Sequence, residues 1–333
     1  MRRYGMEDIH TFSLGFPDSS VGDELDVATR LARHFGTDHR VLTPTADEML
    51  TRLPRVVWAA DDLMRDPASL PTLLLAEEAS RSMKVVFSGE GGDEAFAGYG
   101  RYRTGAMERF LKGMLFPGTG GFRSRGDLRG GVAQQLLGSE LLAARGRWRE
   151  ALTESWQSRP ADWTPLQKMQ ALDLEHALPD NLLVKADRML MAHGVEGRMP
   201  FVDRRLVSWG LSLPDELKQD RREGKKILKS WASTFMPAEH FAAKKRGFYV
   251  PVNDWWQGDR LVALSRVLSS NAAIREWFQP AGVQRLLADQ GRTQRSGRQL
   301  MTLLQFALWH HFFVQSSTSA LPEVSDPLSL LGA

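Results

Sequence analysis

Cysteine is absent from the 333 residues, which removes disulfides, thiolate metal sites and any cysteine nucleophile. No apolar run approaches the ~18 residues that a membrane-spanning helix needs. The opening residues Met1-Arg2-Arg3-Tyr4-Gly5 carry charge with no apolar segment behind them, so no secretory leader is expected and the cytoplasm is the expected compartment. The formal net charge is only +3, too little to give nucleic acid a strong electrostatic hold. Neither a membrane nor a nucleic acid is therefore expected as a partner. No internal repeat is visible. His10, His34, His39, His193 and the pair His310-His311 lack a ligand spacing and read as surface or core residues rather than metal ligands.

What is present is ordinary for a globular chain. Hydrophobic residues make up 42% and charged residues 25%, enough to bury a core, and the length predicts one large or two medium units. His10 to Phe16 reads as a strand running into a loop at Pro17-Asp18-Ser19-Ser20. Leu25, Ala28, Leu31, Ala32 and Phe35 recur at helical spacing, with Gly36 as a C-cap. Arg40-Val41-Leu42 is a second strand. Thr45 or Asp47 then caps a helix toward Trp58, and Pro71 suits the first turn of a helix over 72–82. This alternation predicts an α/β fold with a parallel sheet. Residues 117–131, rich in glycine and arginine, read as a surface loop and segment boundary. Beyond them helical patterns cover 140–149, 167–178, 183–193, 225–235, 262–268 and 300–313. The tail over 315–333 reads as flexible.

One stretch carries most of the chemistry: Lys84-Val85-Val86-Phe87-Ser88-Gly89-Glu90-Gly91-Gly92-Asp93-Glu94. Its first half is a β-branched apolar run, the signal of a buried parallel strand. Gly89, Gly91 and Gly92 then let the backbone turn and approach a ligand closely. Ser88 adds a hydroxyl, and free N–H groups there make an anion-binding concavity. Asp93 and Glu94 suit the positive end of a following helix, and equally a hard cation such as Mg2+. Read alone, a glycine-rich βα turn with two capping acids accounts for the same residues. Further on, Arg221-Arg222-Glu223-Gly224-Lys225-Lys226-Ile227-Leu228-Lys229 is a basic run entering a helix, a pattern that often marks a solvated face.

Ser88 to Glu94, followed by Phe96-Ala97-Gly98-Tyr99 and Arg101-Tyr102, resembles the adenylating-site signature of the asparagine synthetase family. These ATP-pyrophosphatase-type enzymes turn a carboxylate into an amide. The resemblance runs from about Ile9 to about Phe313. It implies an adenine nucleotide alpha hydrolase-like, doubly wound parallel sheet over 8–116 and a mostly helical substrate-cleft region over 132–314. It also implies ATP and Mg2+ as cofactors, with aspartate or a related carboxylate and ammonia as small-molecule substrates, and AMP and pyrophosphate as products. By the same resemblance Ser88, Gly89 and Leu14 contact ATP, Asp93 ligates Mg2+, and Glu90 is tied to forming the acyl-adenylate. Gly224-Lys225-Lys226-Ile227-Leu228-Lys229 resembles the family's Gly-Lys-x-Ile-Leu-Arg segment, which gives Lys225 the role of stabilising charge on the α-phosphate. For Leu14 core packing is the alternative, and for Asp93 helix capping.

Two further segments match. Leu182 to Arg188 with Met191-Ala192, then Val195 to Asp203, resembles the segment lining the substrate cleft. It brings Asp187, Arg188, Glu196, Arg198 and Asp203 toward substrate, against the alternative of a buried ion-pair network bracing helices. Gly197 stands where a larger residue is usual. Asp61-Asp62 and Asp66 to Thr72 resemble an acidic loop before a Pro-Thr helix, and an N-cap with a turn fits them too. Lys244-Lys245-Arg246-Gly247-Phe248 fits the family without an assigned chemistry.

The family's Ser-Gly-Gly-x-Asp-Ser pyrophosphate loop has no counterpart in Met1 to Asp8, and the first central strand of the sheet is missing with it. A shortened form of a longer product is therefore expected, with two apolar strand edges left open. The family's glutaminase domain opens with a catalytic cysteine, so glutamine hydrolysis by that route is excluded here, and a homodimer or a separate glutaminase partner is the expectation. The alternatives are an inactive pseudoenzyme or partner subunit, and an amidotransferase acting on another carboxylate.

Overall fold

The computed structural model describes residues 1–16, 25–115, 118–119, 122, 130–242, 249–292, 295–316 and 320–332. The loop at Pro17 to Ser20, most of the 117–131 boundary and the Lys244–Phe248 segment lie outside them.

Among the described residues four short strands form: β1 (His10–Leu14), β2 (Asp38–Leu42), β3 (Val85–Phe87) and β4 (Glu196–Arg198). β1 and β2 pair in parallel from His10↔Asp38 to Leu14↔Leu42. β3 and β4 pair in parallel from Val85↔Glu196 to Phe87↔Arg198. The expected single sheet is thus two separate parallel pairs among the described residues. The expectation of a buried strand at Val85 to Phe87 is corrected with it. Val85 is 47% and Phe87 59% exposed: they share one face of β3 that the described residues leave largely uncovered, whereas Val86 on the opposite face packs against Ala76, Leu190 and Val195.

Local signals hold better than pairing. α1 (Leu25–Phe35) ends where Gly36 takes φ +62; the Gly36 and Thr37 N–H groups donate to Arg33 O and Ala32 O at 3.2 and 3.0 Å, a left-handed C-cap. Thr45 caps α2 (Ala46–Leu50) through a capping box. The Glu48 N–H donates to Thr45 Oγ1 at 3.2 Å and the Thr45 N–H to Glu48 Oε2 at 2.7 Å; the bonds that Glu48 Oε2 accepts from the Thr45 N–H and hydroxyl hold its carboxyl below its usual pKa. The single helix expected toward Trp58 breaks before α3 (Leu53–Ala60). Pro54 has no N–H to give and fits only a first turn. α4 (Ser69–Ser80) follows, with Pro71 in its first turn.

Two helices expected between 167 and 193 are one run. Pro165–Leu172 passes through a π-helical stretch, Asp173–Leu183, into Val184–Met191. Pro179 sits inside, and the wider winding takes the place of the bond it cannot donate. The helix expected over 140–149 splits into Ser139–Ala144 and Trp148–Gln157, with Gly146 at φ +105 between them. No described helix is long and apolar enough to cross a membrane.

One hydrophobic cluster joins the first part of the chain to the last. Leu14, Met49, Leu53, Val56 and Leu73 share it with Leu300, Met301, Leu304 and Leu308 of the helix Ser296–His310. The tail, expected to be flexible, is docked. Asp326 caps the short helix Pro327–Leu330, Leu328 is buried in the cluster, the Ser325 N–H donates to Thr51 O at 3.0 Å and Arg55 Nε to Pro322 O at 2.9 Å. Burial of Leu328 and these long-range bonds outweigh the local Ser/Pro composition.

Candidate active site

β3 leads straight into the glycine-rich turn. The Ser88 N–H donates to Arg198 O at 2.9 Å, so the first residue of the turn continues the β3–β4 ladder and Arg198 lies beside it. Gly91 takes φ +88, and the one-turn helix α5 (Gly92–Ala95) carries Asp93 and Glu94 in its first turn. Ser88 Oγ donates to Glu90 Oε2.

The glycines divide into two kinds. A Cβ on Gly89 would meet nothing within 4 Å, so this residue alone is open to a ligand. On Gly91 it would stand 2.6 Å from Val202 Cγ1, and on Gly92 3.3 Å from the Phe201 ring. These two, expected to admit a ligand, admit instead the turn Pro200–Val202 that follows β4. Phe96 then packs edge-on against Phe201 and Trp209, with centroids at 6.2 and 5.8 Å.

The basic run arrives from the opposite side. Lys225 Nζ lies 3.1 Å from Asp93 Oδ1, and a Cβ on Gly98 would fall 1.8 Å from that oxygen and 2.5 Å from Lys225 Cε. The Lys225 N–H donates to Phe96 O at 3.1 Å. A Cβ on Gly224 would stand 2.2 Å from Ala97 O. Lys225 has φ +56 and Ala97 φ +54, left-handed conformations that side chains other than glycine seldom take. Lys226 and Lys229 pair with Asp220 and Glu223 at 3.4 and 2.6 Å, so Lys225 is the lysine of the run that reaches Asp93.

Beneath the turn lies a buried polar layer that the sequence did not disclose. The Tyr99 hydroxyl donates to Glu94 Oε1 at 2.6 Å. The Arg101 guanidinium stacks 3.6 Å above the Tyr99 ring and gives Asp173 Oδ2 bonds of 2.9 and 2.7 Å. The Tyr102 hydroxyl donates to the same oxygen at 2.7 Å. Burial pushes the Glu94 carboxyl up, against the bond from Tyr99, and burial with the nearby carboxylates pushes both phenols up. Tyr99 and Tyr102 therefore stay protonated donors at neutral pH. Tyr99, Arg101 and Tyr102 belong to the signature, whereas Asp173 is hidden in a helical pattern that flags only apolar positions.

The remaining candidates are spread more widely. Arg198 and Glu196 are exposed on β4, 3.2 Å apart. Asp187 and Arg188 are exposed on Val184–Met191, with Arg188 4.0 Å from Asp61. Asp203 accepts the Arg205 N–H at 2.9 Å and caps Arg204–Ser212, and the Arg205 bonds hold its carboxyl low. These pairs are open to solvent, so the alternative of a buried bracing network is corrected. The bracing pair is Lys185 with Asp66, at 3.1 Å. Asp66 also accepts the Ala68 N–H at 3.1 Å, a turn role. Leu14 ends β1 in the other sheet, 7% exposed within the core, where it is a packing residue. Among the described residues no three His, Cys, Asp or Glu gather as a metal site.

A parallel strand, a glycine turn and a lysine meeting an aspartate beside it define a nucleotide-site candidate of the α/β kind. The sequence profile of the asparagine synthase family matches residues 1–311. The chain is 32% identical to a putative glutamine-hydrolysing asparagine synthetase of Mycobacterium tuberculosis over 345 aligned positions, covering 95% of this chain and 52% of that protein. It is 28% identical to asparagine synthetase [glutamine-hydrolyzing] 1 of Bacillus subtilis, over 92% of this chain and 52% of the relative. It is 24% identical to amidase chyE of Penicillium rubens, over 73% and 44%. The chain belongs to the asparagine synthase family. It spans about half the length of the two synthetases it matches.

Proposed function

We propose that the chain is the synthetase portion of an ATP-dependent amide-forming ligase, built on the doubly wound plan, that adenylates aspartate and passes the acyl group to ammonia. The observation that carries this reading is the meeting of the Ser88–Asp93 turn with the Lys225 ammonium, 3.1 Å from Asp93.

Carboxylate oxygen is a poor leaving group, so amide formation needs activation. The substrate carboxylate attacks the α-phosphorus, the bond to the β-phosphate oxygen breaks and pyrophosphate leaves. Ammonia nitrogen then attacks the acyl carbon, AMP leaves and a proton is released. Little covalent work falls to the protein, which positions the reactants and neutralises charge. In this reading Ser88 and the open Gly89 receive the phosphates. Glu90, held by Ser88, serves adenylate formation. Lys225 moves from Asp93 to the α-phosphate, an exchange of low cost because both side chains are partly solvated. Arg198 lies at the strand end beside the turn, where a guanidinium binds a substrate carboxylate in two-pronged fashion; Glu196, Asp187 and Arg188 are substrate-cleft residues in this reading. Leu14, whose side chain is packed in the core, meets ATP in this reading only through the backbone at its strand end.

The donor set suits a metal that arrives with the nucleotide. Asp93 supplies one carboxylate that already holds a cation, the Lys225 ammonium, and Mg2+ commonly takes one or two carboxylates with the rest from phosphates and water. When bound, the metal supplies neutralisation of phosphate charge.

The second reading is an amidotransferase of the same family acting on another carboxylate; that the family match extends to a relative named an amidase supports a spread of amide chemistries on this scaffold. The exposed Val85 and Phe87 side chains of β3 favour a role beside a partner, a second copy or a glutaminase subunit. Pyrophosphate release from ATP, Mg2+ and ammonium with aspartate and a panel of other carboxylates separates these. Release that depends on a carboxylate supports the ligase and names its substrate. A folded sample that releases none with any carboxylate overturns it in favour of an inactive or partner subunit.

A further inference from the structure

Gln170, outside the signature motif, ends on the helix that carries Asp93, and Lys218 in turn bonds to Gln170. Gln170 and Lys218 are both 0% exposed. A four-residue helix cannot hold its own shape in water and leaves its last carbonyls without intrahelical partners. At the end of α5 the carbonyls from Asp93 to Phe96, the residue after the helix, each have a donor. Asp93 O accepts the Gly98 N–H at 2.8 Å, Glu94 O and Ala95 O each accept Gln170 Nε2 at 2.8 Å, and Phe96 O accepts the Lys225 N–H at 3.1 Å. One buried amide thus holds the middle pair.

An amide is symmetric in shape but not in chemistry. Reversed, it would press its oxygen against two carbonyl oxygens. Lys218 prevents this. Its ammonium donates to Gln170 Oε1 at 2.9 Å, and a lysine has donors only, so the oxygen end must face it. Burying an ammonium is costly, and an apolar side chain would fill the volume more cheaply. Lys218 also donates to Leu211 O at 3.3 Å, near the end of Arg204–Ser212. In that helix Gly210 lies against α5 so tightly that a Cβ would stand 2.7 Å from Ala95 O. Both arms from Lys218 converge on the carbonyl end of α5.

We propose that Lys218 and Gln170 are positioning residues for Asp93: the ammonium fixes the amide, the amide fixes α5, and α5 aims the carboxylate at the incoming metal and phosphates. This rests on the reading of Asp93 as the carboxylate that holds the metal with the nucleotide.

The test uses the full chain and two variants, with ATP affinity measured calorimetrically in EDTA and in Mg2+. Gln170→Glu keeps the volume and the partner of Lys218 but replaces the donor facing the two carbonyls. Its metal-free ATP affinity is expected within about twofold of wild type, while the tightening produced by Mg2+ falls at least about tenfold. Pyrophosphate turnover drops on the order of 10²-fold, as a displaced catalytic group requires. Lys218→Met is expected to move in the same direction. If it fails to fold, Gln170→Glu decides alone. Equal losses with and without metal, or no loss in either, overturn the proposal. Hydrogen exchange at the Gly98 amide needs no ligand and should quicken at least about tenfold in Gln170→Glu; unchanged exchange sinks the proposal whatever ATP does. Quickened exchange in a chain whose wild type shows no Mg2+ effect sinks the metal reading of Asp93 instead and leaves the clamp standing.

Discussion

Lys225 occupies a backbone conformation that glycine would take without strain. A left-handed residue other than glycine costs about 1–2 kcal/mol, and such outliers gather where function demands the side chain. Lys225→Gly should therefore leave the fold as stable as wild type or up to about 1 kcal/mol more so, with adenylation lost. Parallel thermal melts and pyrophosphate assays read both arms; a clear drop in melting temperature would show that the Asp93 ion pair stabilises the fold. Glu94 gives a second prediction, with its sign set by burial. Its carboxyl titrates above the unfolded value of 4.5. In the window between those two values the folded chain holds a proton that the unfolded chain has lost. Stability then falls as pH rises through it. Glu94→Gln should remove that fall, so the melting temperature of the variant minus that of wild type grows as pH rises from 4.5. A constant difference would mean that Glu94 is not desolvated in the native state. At this scale the sequence was readable where chemistry is local. Ser88, Gly89, Glu90, Asp93 and Lys225 could be named from their motifs. Gln170 and Lys218 could not, because a glutamine inside a helical pattern and a lysine in Pro214-Asp215-Glu216-Leu217-Lys218 look like surface residues.

Among elements, the crossing of the Gly224–Lys225 segment over the Ala97–Gly98 turn fixes the site. A Cβ at Gly224 would run into the backbone of the crossing turn, with Ala97 O at 2.2 Å and Gly98 Cα at 3.1 Å. Gly224→Ala should cost about 1–3 kcal/mol by overpacking and weaken nucleotide binding, because the Asp93–Lys225 pair moves with the turn. Calorimetric melting together with ATP titration checks this; a native melting temperature would show that the crossing yields easily. Caps made most of these elements legible, as at Thr45, Gly36 and Pro71. The π-helical run did not read, since Pro179 looks like a terminator and nothing nearby in sequence says that winding will widen around it.

For the whole molecule, the first three strands were legible, but β4 (Glu196–Arg198) and the pairing of all four were not. The run Val85-Val86-Phe87 has the composition of an interior strand, but burial depends on neighbours supplied by distant sequence. Phe87 is exposed on one face of β3, an apolar surface for association. Phe87→Lys should make the protein more monodisperse in light scattering at high concentration, with stability changed by no more than about 0.5 kcal/mol. A marked loss of stability would mean that a neighbouring molecule covers this face in solution.

The docked tail also has a kinetic side. Arg55 meets Pro322 across 267 positions of chain, so α2 and α3 emerge from the ribosome long before the segment that seals them. Until it arrives, a nascent chain displays the apolar flank of those helices, and contacts this far apart in sequence form late. Biogenesis of this protein should accordingly lean on chaperones that shield the early half during synthesis.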